Sequence, residues 1–257
     1  MALAMRKLLV IGIGAGDPDH VTVQAIKALN RADVFFVVAK PDERQDLVRL
    51  RQEICERYVE NEYRVVELRD PERDRTAPAY RSAVEDWRRA RADVWERAIR
   101  DELPEGGTGA FLVWGDPALY DSTLAVIDQI LARGSVELEH EVIPGISSVQ
   151  ALAARHRVPL NRVGGPVHIT TGRRLREGFP SDSDDVVVML DADCAFKQVA
   201  DGQTDIYWGA YVGTDDELLV SGSVEDVGDE IERVRAEARE RKGWIMDTYL
   251  LRRRTGA

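Results

Sequence analysis

The residues best suited to chemistry in this chain lie in three short runs, each placed where an apolar segment stops. They are Gly12-Ile13-Gly14-Ala15-Gly16-Asp17-Pro18, Trp114-Gly115-Asp116-Pro117-Ala118-Leu119-Tyr120-Asp121-Ser122-Thr123 and Pro144-Gly145-Ile146-Ser147-Ser148. Glycine admits backbone angles closed to other residues and proline fixes its own, so such runs turn sharply and expose main-chain groups. Exposed main-chain groups beside small side chains can bind a cofactor by close approach and hydrogen bonding. Asp17, Asp116 and Asp121 are the carboxylates of these runs. Each could accept a proton, but aspartates beside turns more often cap them through hydrogen bonds, so no catalytic base is assigned.

Gly12, Gly14 and Gly16 superficially match a dinucleotide fingerprint. That pattern needs two residues between its second and third glycines and an acidic residue near the end of the next strand. Here only Ala15 intervenes, and the next apolar run ends in Lys40-Pro41, so a nicotinamide or flavin fold is not expected.

The elements that must carry these runs follow from hydrophobic spacing. β-Branched and apolar stretches predict strands at 8–11, 34–39, 63–68, 109–114 and 136–143, alternating with amphipathic segments, which is the pattern of a parallel sheet flanked by helices. The charged segment 76–103 keeps Val84, Trp87, Trp95, Ala98 and Ile99 as an apolar stripe at helical spacing, so it packs on the sheet or on a partner subunit. Beyond Pro144 strands are predicted at 167–171, 186–190, 205–212, 217–223 and 244–251, with a helix from Val224 to Lys242. Gly213-Thr214-Asp215-Asp216 reads as a hairpin connection, possible only between antiparallel strands, so the second sheet is mixed. The fold class is α/β: two α/β domains, 1–143 with a parallel sheet and 144–257 with a mixed one, enclosing a cofactor cleft between them.

Composition narrows the partners. A net charge of -11 on 257 residues argues against binding a continuous phosphate backbone, so no nucleic-acid partner is expected. No apolar run approaches the roughly 20 residues of a membrane span, and the first residues lack the pattern of a secretion signal, so no membrane association and a cytoplasmic location are expected. Cys55 and Cys194 are too few and too far apart for a disulfide framework. His20, His140, His156 and His168 lack paired ligand spacing, so no metal is expected.

In this order the three runs resemble those of the tetrapyrrole (corrin/porphyrin) methyltransferases, over about residues 8–251. Three further features resemble the deacetylating subgroup, which methylates ring carbon 1 of precorrin-5 and releases acetate: the long form Leu112-Val113-Trp114 through Thr123, the insertion Asp70-Pro71-Glu72-Arg73-Asp74 followed by Tyr80 and Asp86-Trp87, and Trp244-Ile245-Met246-Asp247-Thr248-Tyr249-Leu250-Leu251.

The resemblance implies S-adenosylmethionine as cofactor, S-adenosylhomocysteine as its product, a precorrin as substrate and a homodimer. It places cofactor contacts at Ala15, Trp114, Gly115, Asp116, Leu119, Ser147, Ser148, Met189 and Gly213. Ala15 stands where the family more often has proline, which leaves that turn less restrained. A bulky residue at Gly115 is expected to remove cofactor binding and spare the fold. Because a precorrin carries many carboxylates, Arg162, Arg173, Arg174 and Arg176 are candidate substrate contacts, with a solvated loop as the alternative. Asp247 and Tyr249 are further polar candidates. A sibling acting at another ring carbon, a relative acting on protein or ribosomal RNA, and a noncatalytic module of the same fold remain as alternatives.

Overall fold

The computed structural model describes residues 5–39, 45–71 and 80–254. Lys40-Pro41, residues 72–74 of the insertion and the first residues of the predicted 76–103 helix lie outside the described residues. The chain forms two compact units, Met1–Ile146 and Ser147–Ala257.

In the first unit β1 (Arg6–Gly12), β2 (Val34–Val38), β3 (Arg64–Leu68), β4 (Thr108–Val113) and β5 (Leu138–Ile143) form an all-parallel sheet in the order β3-β2-β4-β1-β5. Central strands of such a sheet are covered on both faces, and β1 and β4 accordingly read as near-continuous apolar runs. Alternate residues divide between the faces. Leu9, Ile11, Phe35, Ala110 and Leu112 pack with Ala25, Ala28 and Leu29 of α1 (Val23–Leu29) and with Leu50 and Ile54 of α2 (Gln45–Tyr58). Leu8, Val10, Phe36, Phe111 and Val113 pack on the opposite face with Trp95 and Ile99 of α3 (Tyr80–Glu102) and Val126, Ile127 and Ile130 of α4 (Thr123–Arg133). Trp95 stacks on Phe111 with ring centroids 4.2 Å apart. The stripe of the long charged helix therefore covers the sheet.

The chain leaves β1 for one face and β4 for the other, and these two strands are neighbours. Their carboxyl ends form the point where the winding reverses, the place at which open α/β sheets leave a ligand crevice.

In the second unit β6 (Val167–Thr171), β7 (Asp185–Met189), β8 (Thr204–Ala210), β9 (Leu218–Ser223) and β10 (Asp247–Arg253) lie in the order β6-β7-β10-β8-β9. Only β6 and β7 run parallel. The mixed sheet and the β8–β9 hairpin match the sequence reading. The last strand starts three residues later than its apolar pattern, because Gly243 ends the preceding helix at φ 74° and pairing begins only at Asp247 opposite Ala210. Two four-residue helices, α6 (Gly172–Leu175) and α7 (Phe196–Val199), are too short to show a period. α5 (Ser148–His156) packs beside β8, where Leu152 leaves no room for a side chain at Gly209. α8 (Val224–Lys242) has the full set of end signals: the Ser223 hydroxyl accepts from Asp226 N, acids fill its first turn and bases its last.

A buried polar network joins α8 to this sheet. Arg235 Nε donates to Asp247 Oδ2 at 2.9 Å and its Nη2 donates to Asp191 O at 2.7 Å. Trp208 Nε1 also donates to Asp247, and Tyr249 Oη donates to Asp191 Oδ2 at 2.7 Å. Burial pushes the Asp247 carboxyl up, and the Arg235 charge opposes that shift. Removing the cation alone would strand a buried carboxylate. Arg235→Leu is expected to cost about 3–5 kcal/mol, read as a lower urea midpoint with an unchanged slope.

Candidate functional site

The crevice of the first unit is closed by main-chain contacts between three loops. After β1, Ile13 N donates to Val113 O at 2.9 Å; Gly14 and Gly115 then form an isolated antiparallel bridge, with Gly115 N donating to Gly14 O at 2.7 Å and Gly14 N to Gly115 O at 3.3 Å. The loop after β5 is tied in by Asp116, whose Oδ2 accepts from Gly145 N at 2.9 Å while Oδ1 accepts from Ala118 N at 2.8 Å. The approach is too close for side chains. A Cβ on Gly145 would lie 2.1 Å from Gly115 O, and one on Gly12 would lie 2.6 Å from Gly145 N. Gly14, at φ 86°, would meet His20 Cβ at 2.4 Å. The glycines of the three motifs therefore hold the loops against one another.

This changes the reading of Gly115. It stands at φ 70° and both its main-chain polar groups are bonded across the crevice, so a bulky residue there is expected to strain the backbone as well as to obstruct the cofactor.

Asp17 and Asp121 are turn caps as well. Asp17 Oδ1 accepts from Asp19 N at 2.8 Å and Asp121 Oδ1 accepts from Thr123 N at 2.6 Å. All three candidate carboxylates thus serve main-chain donors. Ala15 is buried, Trp114 and Leu119 are half-buried, and Tyr120 is exposed with a left-handed backbone, φ 51°.

Arg91 holds the far end of the β4 loop, a role the sequence reading did not assign. Its Nη1 donates to Ser122 Oγ at 2.6 Å, its Nε lies 2.5 Å from Asp70 Oδ2, and its guanidinium sits 4.5 Å from the ring centroids of both Trp87 and Trp95. Trp95 Nε1 donates to Asp70 and Trp87 Nε1 to Pro71 O. The start of the insertion is thereby fastened to the loop. Burial lowers the Arg91 pKa, and Asp70 opposes it. The available signal was the four-residue spacing of Trp87, Arg91 and Trp95, which puts all three on one helix face.

The remaining predicted residues belong to the second unit. Ser147 is buried and caps α5, accepting from Val149 N at 3.2 Å and donating to Gln150; Ser148 is half-buried at its first turn. Met189 ends β7, half-buried, before Leu190, which is exposed at φ 53°. Gly213 turns at φ 85° and donates to Glu217 Oε2 at 2.8 Å.

Arg162 approaches Asp184 and Asp185 and donates to Arg253 O, Arg174 pairs with Glu177, and Arg176 with Asp193. Arg173 is exposed. Asp247 and Tyr249 lie in the buried network and have a structural task there. Among the described residues no cluster of His, Cys, Asp and Glu could hold a metal, and no helix is long and apolar enough to cross a membrane.

An adenosyl cofactor fits the loops of the first unit on two counts. Their turns present fixed main-chain groups, and two buried polar atoms there, Trp114 Nε1 and His20 Nδ1, have no hydrogen-bond partner among the described residues. Buried polar atoms are ordinarily paired, so such orphans are what an absent ligand leaves.

The sequence profile of the tetrapyrrole (corrin/porphyrin) methylases matches residues 7–228. Precorrin-6A synthase [deacetylating] of Sinorhizobium sp is 53% identical over 250 residues, 97% of this chain and 96% of that protein. Among solved structures, a cobalamin synthesis related protein (CobF) from Corynebacterium diphtheriae superimposes with a TM-score of 0.84 at 39% identity, over 97% of this chain and 99% of that one. A uroporphyrin-III C-methyltransferase from Thermus thermophilus, complexed with S-adenosylhomocysteine, shares the fold, with a TM-score of 0.55 at 18% identity over 95% of this chain and 91% of that one.

Because the loops touch through backbone, the smallest side chain is a severe probe. Gly145→Ala is expected to lower stability by about 1–3 kcal/mol and to weaken S-adenosylhomocysteine binding at least tenfold, measured by thermal unfolding and calorimetry on the folded fraction.

Proposed function

Because the chain belongs to the tetrapyrrole (corrin/porphyrin) methylases, we propose that it is an S-adenosylmethionine-dependent C-methyltransferase that converts precorrin-5 to precorrin-6A, methylating ring carbon 1 and releasing acetate, in cobalamin biosynthesis. The observation that carries this reading is the 53% identity to precorrin-6A synthase [deacetylating], sustained over 97% of the chain. The loop geometry of the first unit supports it independently of that likeness.

When bound, the cofactor supplies a methyl group already activated on a sulfonium, so little acid–base work is asked of the protein. Binding and orientation are the tasks left to its residues. In the first unit Ala15, Trp114, Gly115, Asp116 and Leu119 hold the cofactor, with the Gly14–Gly115 bridge and the Asp116–Gly145 hydrogen bond fixing the main chain before it arrives. Trp114 Nε1 is a buried donor there without a hydrogen-bond partner among the described residues. Ser147, Ser148, Met189 and Gly213 are the proposed contacts in the second unit.

Arg162, Arg173 and Arg174 are the proposed substrate contacts. Arg162 and Arg174 already face carboxylates of their own unit, and a substrate carboxylate would take the place of those partners. Asp17, Asp116 and Asp121 are each committed to a main-chain N–H, and none is assigned as a base. A homodimer working in the cytoplasm belongs to the same reading.

Incubation with methyl-labelled S-adenosylmethionine and precorrin-5 is expected to give labelled precorrin-6A and acetate in equal amounts. Methyl transfer without acetate would contradict the deacetylating assignment, and cofactor binding without turnover would contradict the enzyme assignment altogether.

A further inference from the structure

The first unit contains a second concave feature, whose lining shares no residue with the three glycine motifs. A cavity of about 420 Å³ lies between α2 and the β2–β3 side of the sheet, lined by Phe35, Val37, Val48, Cys55, Tyr63 and Val65 among others, with Arg51 in its wall. It exists because the sheet splits. β2 pairs with β4 at Val34–Gly109, Phe35–Ala110 and Phe36–Phe111 and no further, so Leu112 has no paired residue on β2. Arg51 Nε enters the gap and donates to Leu112 O at 3.1 Å, and its Nη1 donates to Leu47 O at 2.6 Å.

Two carbonyls do not satisfy a guanidinium, which has five N–H donors and a full charge. Among the described residues no carboxylate stands within ion-pair distance of Arg51, and its Nη2 has no hydrogen-bond partner. Glu67 is the carboxylate of the lining, but it is exposed and lies 3.5 Å from Arg69 Nε. Burial pulls the Arg51 pKa down to about 10, with the Asp121 charge acting in the other direction. Yet Arg51 keeps part of its surface accessible. A cation surrounded by protein but still accessible is one that faces a cavity. Cys55 contributes bulk there, since burial pushes its thiol up to about 12.

A largely buried cation with donors unused among the described residues, at the wall of a mostly apolar hollow, is complementary to a carboxylate on a short apolar chain. We propose that this cavity binds such a carboxylate, with Arg51 as its counter-ion. Resting on the functional reading above, the carboxylate is a side arm of the tetrapyrrole substrate: Arg51 bonds to β4, the strand that leads into Trp114-Gly115, and Asp121 of the following loop acts on its charge. A free short-chain acid has the same chemistry.

The test uses the full chain and two probes: uroporphyrin III, a stable tetrapyrrole octacarboxylate, and propionate. Binding is measured by fluorescence and calorimetry for the unaltered protein, Arg51→Met, Arg51→Lys and Val65→Trp. Val65 is an exposed lining residue, so a larger side chain there adds bulk at the hollow and leaves Arg51 itself unaltered. The inference expects Arg51→Met and Val65→Trp each to weaken uroporphyrin about tenfold or more, Arg51→Lys to retain much of the affinity, and S-adenosylhomocysteine binding to be unchanged. Loss of propionate binding with uroporphyrin unaffected would assign the site to a free acid. Equal affinity of all four proteins for both probes overturns the inference. A protein that binds S-adenosylhomocysteine but no tetrapyrrole, and transfers no methyl group, overturns the functional reading instead. Should Arg51→Met fail to fold, Val65→Trp decides alone.

Discussion

The first unit depends on backbone meeting backbone. Three loops from three parallel strands converge until Gly12, Gly115 and Gly145 touch through main-chain atoms, and a single Cβ at Gly145 would fall 2.1 Å from a carbonyl oxygen. Loops normally retain freedom because their polar groups are satisfied by water. Here the Gly14–Gly115 bridge and Asp116 satisfy several of them internally, which ties the three loops to one another at the carboxyl edge of the sheet. Binding a flexible ligand costs less when the receptor is already ordered.

That convergence has to be held from outside as well, and polar networks hold it. Arg91, clasped by Trp87 and Trp95 and charge-balanced by Asp70, fixes the end of the β4 loop through Ser122. Each face-on cation–π contact contributes about 0.5–2 kcal/mol. The hydroxyl of Ser122 is consequently diverted from capping α4, and Asp121 caps that helix by accepting from Thr123 N. In the second unit Arg235 does comparable work between α8 and β10. Arg51 differs from both, because it fills a split in the sheet without an acidic partner among the described residues.

Much of this was legible in the residues. β-Branched and apolar runs located the ten strands of the described residues, and the α8 boundaries follow from Ser223 and Gly243, which are end signals in their own right. The three loop motifs were visible because glycine and proline mark turns regardless of context. Their task was less legible. Sequence suggests that glycines make room for a ligand, whereas Gly12 and Gly145 make room for each other, a long-range contact between positions 133 residues apart that no local pattern encodes. The aspartates look free in a sequence and are bonded in the fold. The arginines around 162–176 look like a substrate patch, but three of them meet carboxylates of their own unit, which only the tertiary arrangement brings near. Arg91 and Arg51 went unassigned for the same reason: their meaning comes from Asp70, Ser122 and a split between strands.

The central claim is that the converged loops of the first unit receive an adenosyl cofactor. Amide hydrogen exchange with and without S-adenosylhomocysteine tests it directly, since bound ligand slows exchange where main-chain groups become sequestered. The account predicts new protection at residues 12–16, 114–119 and 144–146. Protection elsewhere, with these three loops unchanged at saturating ligand, would contradict it.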